Sequence, residues 1–151
     1  MLGLGVGSLT GGVLSKRAGD RALPLFAAFE LGIGLFGFFS LDIFAVVAAT
    51  TLDLSRLATG LVAFLLVLVP TTFMGATLPL LVEHATRRSG NVGRSVGVLY
   101  FANTLGAALG SFAAAAILLG LLGLEKTTYT AATLNVLLGC AVLALHRRAS
   151  A

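Results

Sequence analysis

The stretch "LATGLVAFLLVLVPTTFMGATLPLLV", residues 57–82, contains no charged side chain over its 26 residues. A helix needs about 20 apolar residues to cross the hydrocarbon core of a bilayer, so this run is long enough to span it. The whole chain is similarly apolar, since 58% of its 151 residues are hydrophobic and 11% are charged, whereas about 25% are charged in an ordinary soluble domain. The sequence therefore predicts an all-α, polytopic helical membrane protein whose partner is the lipid bilayer.

Short polar breaks divide the chain into apolar runs, which predict about five transmembrane segments in one membrane domain, residues 1–151. The first run is too short to cross a bilayer and predicts an incomplete segment. The second has a possible extension toward Thr51. The runs cover residues 2–14, 23–40 or longer, 57–82, 96–122 and 127–145.

The basic residues predict the orientation of these segments. Cytoplasmic loops of membrane proteins keep an excess of Lys and Arg. If the runs alternate across the membrane, Arg56 and Lys126 lie on one side and the other eight lie opposite: Lys16, Arg17, Arg21, Arg87, Arg88, Arg94, Arg147 and Arg148. The eight-residue side is expected to be cytoplasmic, which places the N-terminus outside and the C-terminus inside.

The glycines of the first run allow two interpretations. Their spacing suggests a phosphate-binding loop, but no strand precedes them and the spacing departs from the dinucleotide fingerprint. Glycines that recur every four residues instead stack on one helix face and let a neighbouring backbone approach closely. This second interpretation predicts close helix packing at Gly3, Gly7 and Gly11, and the same spacing predicts it at Gly106 and Gly110.

Two prolines, Pro70 and Pro79, lie inside the third run. Each proline leaves a backbone carbonyl without its helical partner and bends the helix, and the nearby hydroxyls of Thr71, Thr72 and Thr77 can satisfy such groups. A bent helix of this kind is a candidate hinge. Static helical bundles also contain bent helices, so a moving part is a hypothesis.

Glu30 is the ionisable residue that lies deepest in an apolar run. It stands about seven residues after Leu23, or roughly 10 Å along a helix from the cytoplasmic edge. Such a residue marks a functional site by default, and the alternative is a protonated or hydrogen-bonded glutamate that holds helices together. The sequence predicts a site for a solute or a proton at Glu30, with three weaker candidates for the same polar interior: Tyr100, Asn103 and Asn135.

The remaining polar residues do not form a pattern typical of an enzyme. The acids and histidines are spread along the chain, and no group has the spacing of metal ligands or of a catalytic triad. The chain is therefore expected to have no catalytic residues, no metal and no cofactor. Its basic residues occur in short groups rather than along one face, which argues against nucleic acid as a partner.

Two motifs resemble a known family. The segments "PTTFMGATLPLL", residues 70–81, and "GVLYFANTLGAALG", residues 97–110, are similar to the membrane domain of fused major facilitator/spermidine synthase-like proteins. The resemblance extends over nearly the whole chain. It implies a partial major-facilitator-like half bundle, located in the bacterial plasma (inner) membrane.

The resemblance also implies neighbouring parts that this sequence does not contain. In the family a complete first helix and most of a second precede the glycine-rich start, so we expect a truncated N-terminus and missing helices in an adjacent reading frame. The soluble spermidine synthase-like domain that follows the membrane part is a further expected partner. None of its catalytic residues carries over.

The turn "GVLSKRAGDR", residues 12–21, is similar to the loop that latches two helices in the major facilitator superfamily. Arg17 and Arg21 match the pattern, whereas Lys16 replaces the usual acid and Asp20 replaces a usual arginine. Because the charges are exchanged, a latch by ion pairing stays possible. A short basic cytoplasmic turn explains the same residues.

Three functions agree with these observations. The first is a transporter-like membrane module that moves or channels a polyamine or a related solute. The second is a fragment of a general major facilitator transporter with an unrelated substrate. The third is a membrane anchor or assembly module that transports nothing.

Overall fold

The structure, a computed structural model, describes residues 1–150 and the side chains of residues 1–148. These residues form α-helices and no strand, so the predicted all-α class is confirmed. Three continuous stretches are long and apolar enough to cross a membrane, which indicates an integral membrane protein: Leu2–Thr50, Arg56–Ser89 and Val92–Arg148. The helices are α1, Leu2–Ala18; α2, Ala22–Thr50; α3, Arg56–Ser89; α4, Val92–Ala113; and α5, Leu119–Ser150.

The turn between α1 and α2 is a 3₁₀ segment, Gly19–Arg21. It begins at Gly19 with φ of 55°, a left-handed value that glycine adopts without steric cost. α2 then continues to Thr50, in agreement with the longer form of the second predicted run. α3 starts after Ser55, whose hydroxyl oxygen accepts a hydrogen bond from the Ala58 amide at 3.3 Å. This side-chain cap satisfies one of the amides left unpaired at a helix start.

The predicted end of the third run at residue 82 is too early. α3 continues through the polar segment to Ser89, where Arg87 Nε donates to Glu83 Oε1 at 2.7 Å across one helical turn. Polarity alone does not end a helix, and such pairs support one. The break occurs at Gly90, which has φ of 67° and a left-handed conformation. α4 begins two residues later.

The fourth run is also not one continuous α-helix. α4 ends at Ala113, and residues Ala114–Leu118 form a π-helix turn before α5. The chain departs from helical geometry at Gly123, with φ of 75° and ψ of 176°, rather than at the charged pair Glu125 and Lys126. Glycine tolerates this conformation and other residues do not, which explains the position of the break.

The close contacts define how the helices run. Gly3, Gly7 and Gly11 meet Thr71, Thr72 and Ala76 in the same order, so α1 and α3 are parallel. Phe29 contacts Phe73 and Phe26 packs with Leu80, so α2 and α3 are antiparallel. Gly34 and Gly37 meet Ala132, whereas Gly139 meets Ala27, so α2 and α5 are antiparallel.

α2 therefore lies between α3 and α5 and supplies most of the buried centre. Ala22 and Phe26 of α2 pack with Leu80 of α3, and Val142 of α5 contacts the same cluster. On the far side of α3, α1 packs along its glycine face. α4 is the outlying helix, because among the long helices it packs substantially only against α3.

Candidate functional site

The α2–α3–α5 seam is the line along which α2 packs against both of its neighbours. On one side the rings of Phe29 and Phe73 stack with their centroids 5.2 Å apart. On the other side Phe38 stacks with Tyr129 at 6.0 Å. Gly34 lies so near α5 that a Cβ atom on it would be 2.6 Å from Val136 Cγ2. Small residues on α2 thus bring the three helices together in the way typical of membrane bundles.

Glu30 lies in this seam and is 8% exposed. It shares one face of α2 with Ile33, Gly34 and Gly37, which follow it by one or two helical turns. Within the described part of the chain its carboxylate has no hydrogen bond and no ion pair. Glu30 stands about 12 Å along α2 from its first residue. The seam therefore contains a buried glutamate whose carboxylate has no counter-charge from the described residues.

A cavity of about 260 Å³ lies between the same three helices. Ile33 and Gly37 of α2 are among its lining residues, so it begins one turn beyond Glu30, which is not itself in the lining. Its polar lining residues are Ser40, Thr71, Thr128 and Asn135. The cavity thus combines an apolar wall with a few polar groups, as small-molecule sites do.

The hydroxyl groups of this cavity are engaged with their own helices. Ser40 donates to the Gly37 carbonyl at 2.8 Å, and Thr71 donates to the Val67 carbonyl at 2.8 Å. On α5, Thr128 donates to the carbonyl of Leu124, one turn earlier in the helix, at 2.9 Å. The Asn135 carboxamide has no such partner among the described residues. Of the cavity's polar groups, Asn135 is the one available to a ligand.

Tyr100 and Asn103 do not join Glu30 and Asn135. Both lie on α4 and are exposed, Tyr100 by 62%. α4 contacts α3 near its own start, where Ser95 and Ser89 share a hydrogen bond at 2.9 Å. Of the four residues predicted to share one polar interior, Glu30 and Asn135 lie in the seam, whereas Tyr100 and Asn103 do not, because α4 does not pack into it.

The two sets of glycines predicted to pack closely also differ: one set lies against a neighbouring helix and the other does not. Gly3, Gly7 and Gly11 are buried against α3, and a Cβ on Gly11 would be 2.7 Å from the Cα of Ala76. Around Gly106 and Gly110, in contrast, a Cβ atom would meet no atom of the described chain within 4 Å. No described helix packs against this second pair, so close packing at Gly106 and Gly110 stays a prediction.

The two prolines lie inside one continuous helix. α3 runs through Pro70 and Pro79 without a break, and Pro70 lines the cavity. Thr72 donates to the Leu68 carbonyl at 2.7 Å and Thr77 to the Met74 carbonyl at 2.8 Å. The hinge at these prolines remains a prediction.

One end of the bundle is strongly basic. α1 and α3 end there, α2 and α4 begin there, and α5 ends there, as their relative directions require. We call it the basic end. It contains eight of the ten Lys and Arg residues: Lys16, Arg17, Arg21, Arg87, Arg88, Arg94, Arg147 and Arg148. The acidic residues at this end are Asp20 and Glu83.

The proposed latch residues do not pair with one another. In the described chain the salt bridge is that of Arg87 with Glu83, and Lys16, Arg17, Asp20 and Arg21 form none. Asp20 instead lines a cavity of about 700 Å³ together with Arg88 and His146. Sequence reasoning missed this group, since its members come from three distant parts of the chain.

Known proteins offer no direct guide to this chain: no protein-family model matches it, and no curated protein or solved structure is found similar to it. The described residues also contain no group of three or more His, Cys, Asp or Glu that could hold a metal ion. The resemblance of the two motifs to fused major facilitator/spermidine synthase-like proteins stays a prediction.

Proposed function

We propose that this chain is a membrane-embedded module of a transporter and that Glu30 binds a cationic solute or a proton. The observation that carries the proposal is the burial of Glu30 in the α2–α3–α5 seam without a cationic partner among the described residues. An ionised carboxylate is costly in such surroundings unless a positive charge or water compensates it. A bound cation supplies that compensation.

The cavity in the same seam, which begins one helical turn from Glu30, supports a small or slender ligand. Its volume of about 260 Å³ is slightly below the range of roughly 300–1,000 Å³ that is usual for drug-sized ligands. Asn135 adds a carboxamide that can accept a hydrogen bond from an ammonium group. These features, together with the resemblance of the two motifs, favour a polyamine or a related amine as the solute.

We further propose five membrane segments with the N-terminus outside and the C-terminus inside. Two of the three apolar stretches contain 49 and 57 residues, far more than one crossing of about 20 residues requires. Each contains a glycine with positive φ, Gly19 or Gly123, at which the chain can double back. The eight Lys and Arg residues of the basic end favour a cytoplasmic location for it, in the plasma membrane of a bacterium.

The proposal is tested with spermidine, the probe that the expected solute class suggests. The purified chain in lipid nanodiscs is assayed for binding of labelled spermidine, and proteoliposomes are assayed for uptake. Glu30→Gln removes the charge but keeps the size of the side chain, so we expect both binding and uptake to be lost. Asp42→Asn is the matched control, because Asp42 lies exposed on the same helix.

Two outcomes would contradict the proposal. If Glu30→Gln binds and transports spermidine like the unmodified protein, the carboxylate is not the site. If Glu30→Ala loses the fold while Glu30→Gln retains both fold and binding, Glu30 holds helices together. A pH gradient that drives uptake only in the presence of Glu30 would assign it to the proton instead of the solute.

The alternatives differ in what adjoins this chain in the genome. A downstream reading frame for a Rossmann-like soluble domain favours a spermidine synthase-like fusion, and six further helices favour a general major facilitator transporter. A membrane anchor predicts neither, and it also predicts no effect of Glu30→Gln on any solute.

A further inference from the structure

The cavity at the basic end lies where three segments of the chain meet. The Gly19–Arg21 turn, the last turns of α3 and the last turns of α5 surround a volume of about 700 Å³. Its polar lining consists of Asp20, His84, Arg87, Arg88 and His146. His84 interacts electrostatically with Asp20, Arg88 and His146, so each of these groups lies near His84.

We propose that this cavity binds the phosphoryl headgroup of an anionic phospholipid. The guanidinium of Arg88 is exposed and, among the described residues, has no hydrogen bond or ion pair. A guanidinium presents a planar set of donors that matches two phosphate oxygens at once. Arg87 beside it is already held by Glu83 at 2.7 Å, so Arg88 is the principal contact.

The charge around the cavity favours an anion over a cation. Eight Lys and Arg residues stand at this end against the two acids Asp20 and Glu83, a formal excess of six positive charges. Asp20 lines the cavity and opposes an anion, but it is the one acidic residue in the lining. Asp20 therefore allows a test of the charge of the ligand. Removing its carboxylate should strengthen the binding of an anion and weaken the binding of a cation.

The apolar part of the lining favours a lipid over a free ion. Leu23 of α2 and Leu145 of α5 form walls of the same cavity. A headgroup carries its glycerol and the first carbons of its acyl chains next to the phosphate, so it has apolar surface to place against them. The ends of membrane-spanning helices lie at the depth of lipid headgroups, where basic pockets between helices bind anionic lipids.

This site requires the chain to be in a membrane but does not require Glu30 to bind a solute. The cavity lies at the helix ends, whereas Glu30 stands about 12 Å into α2. A failure of either proposal therefore leaves the other standing.

Binding is measured on the full chain in detergent by native mass spectrometry, with titrations of phosphatidylglycerol, phosphatidylcholine and inorganic phosphate. We expect phosphatidylglycerol to bind more tightly than phosphatidylcholine. Arg88→Gln should weaken phosphatidylglycerol binding about tenfold or more, because it removes the charge-assisted hydrogen bonds of the principal contact. Asp20→Asn should strengthen it.

Arg148→Gln is the matched control, because Arg148 lies at the same end but outside the lining. If Arg88→Gln and Arg148→Gln weaken phosphatidylglycerol binding equally, a general attraction between charges explains the binding and the proposed site is wrong. Weaker binding in Asp20→Asn would overturn the assignment to an anion. Competition by millimolar inorganic phosphate as effective as that by the lipid would identify a free phosphate ion as the ligand. Asp20 and Arg88 are both exposed, so these variants are expected to fold, which circular dichroism checks.

Discussion

Gly7 and Thr72 approach so closely that a Cβ atom on Gly7 would overlap the carbonyl oxygen of Thr72. One turn further along, Gly75 of α3 leaves the same kind of room for the backbone of Leu4. The contact is thus reciprocal, with a glycine on each helix facing the main chain of the other. Lipid tails are as apolar as leucine, so helices in a bilayer associate through close packing of this kind.

Gly7→Ala is expected to lower the free energy of unfolding by about 1–3 kcal/mol, the usual cost of forcing extra volume into a packed interface. The overlapping atom belongs to the backbone and cannot rotate away. Steric trapping in lipid bicelles measures the change. Gly5→Ala and Gly12→Ala are matched controls on the same helix, because a Cβ at either position meets no described atom within 4 Å. If all three variants lose the same stability, α1 does not pack on α3 through this face.

Gly34→Ala tests the contact between α2 and α5. A Cβ at this position would lie 2.6 Å from Val136 Cγ2 and 2.9 Å from the Ala132 carbonyl oxygen. Truncation by Val136→Ala removes the first of these two obstacles but not the second. We therefore expect the double variant to recover part of the stability lost in Gly34→Ala. A double-mutant cycle with no coupling between the two positions would contradict the contact.

The proposed orientation is tested by cysteine labelling. Cys140 is exposed, so Cys140→Ala provides the background in which single cysteines are introduced. Asp53 lies in the turn before α3 and Ser89 is the last residue of α3, and both are exposed, so cysteines there report on opposite ends of the helix. In intact cells an impermeant maleimide should label Asp53→Cys and leave Ser89→Cys unlabelled until the cells are lysed. The reverse pattern would invert the topology.

The helical class could be predicted from composition, but the ends of the helices could not. The low content of charged residues excludes a soluble surface and leaves the bilayer as solvent. Polar residues such as Glu83 and Arg87 suggested a loop, yet they extend α3 at its end, and the chain turns at Gly90. Backbone conformation at single glycines decides such boundaries, and hydropathy does not measure it.

The candidate site could be predicted only in part for a related reason. Glu30 is identified by its depth in one apolar run, a property of local sequence. Asn135 joins the same seam because α2 and α5 are antiparallel, and Arg88 meets Asp20 and His146 at the basic end for the same topological reason. Gly106 and Gly110 repeat the spacing of Gly7 and Gly11, but spacing does not tell whether a partner helix is present.

Gly123 supplies the last prediction. Its φ of 75° and ψ of 176° belong to a region that is essentially restricted to glycine, and apart from its chain neighbours no described atom lies within 4 Å of a Cβ built there. Gly123→Ala should therefore act through the backbone alone and lower the free energy of unfolding by about 1–3 kcal/mol.

Gly120→Ala is its matched control, three residues away and equally open. Gly120 is helical, so alanine there should raise the stability by about 0.5–1 kcal/mol. The two substitutions add the same methyl group in the same surroundings, yet the structure predicts opposite changes in the free energy of unfolding. Steric trapping in bicelles measures both. If Gly123→Ala also raises the stability, residue 123 is helical in the membrane, the chain does not turn there, and the proposed count of five segments fails with it.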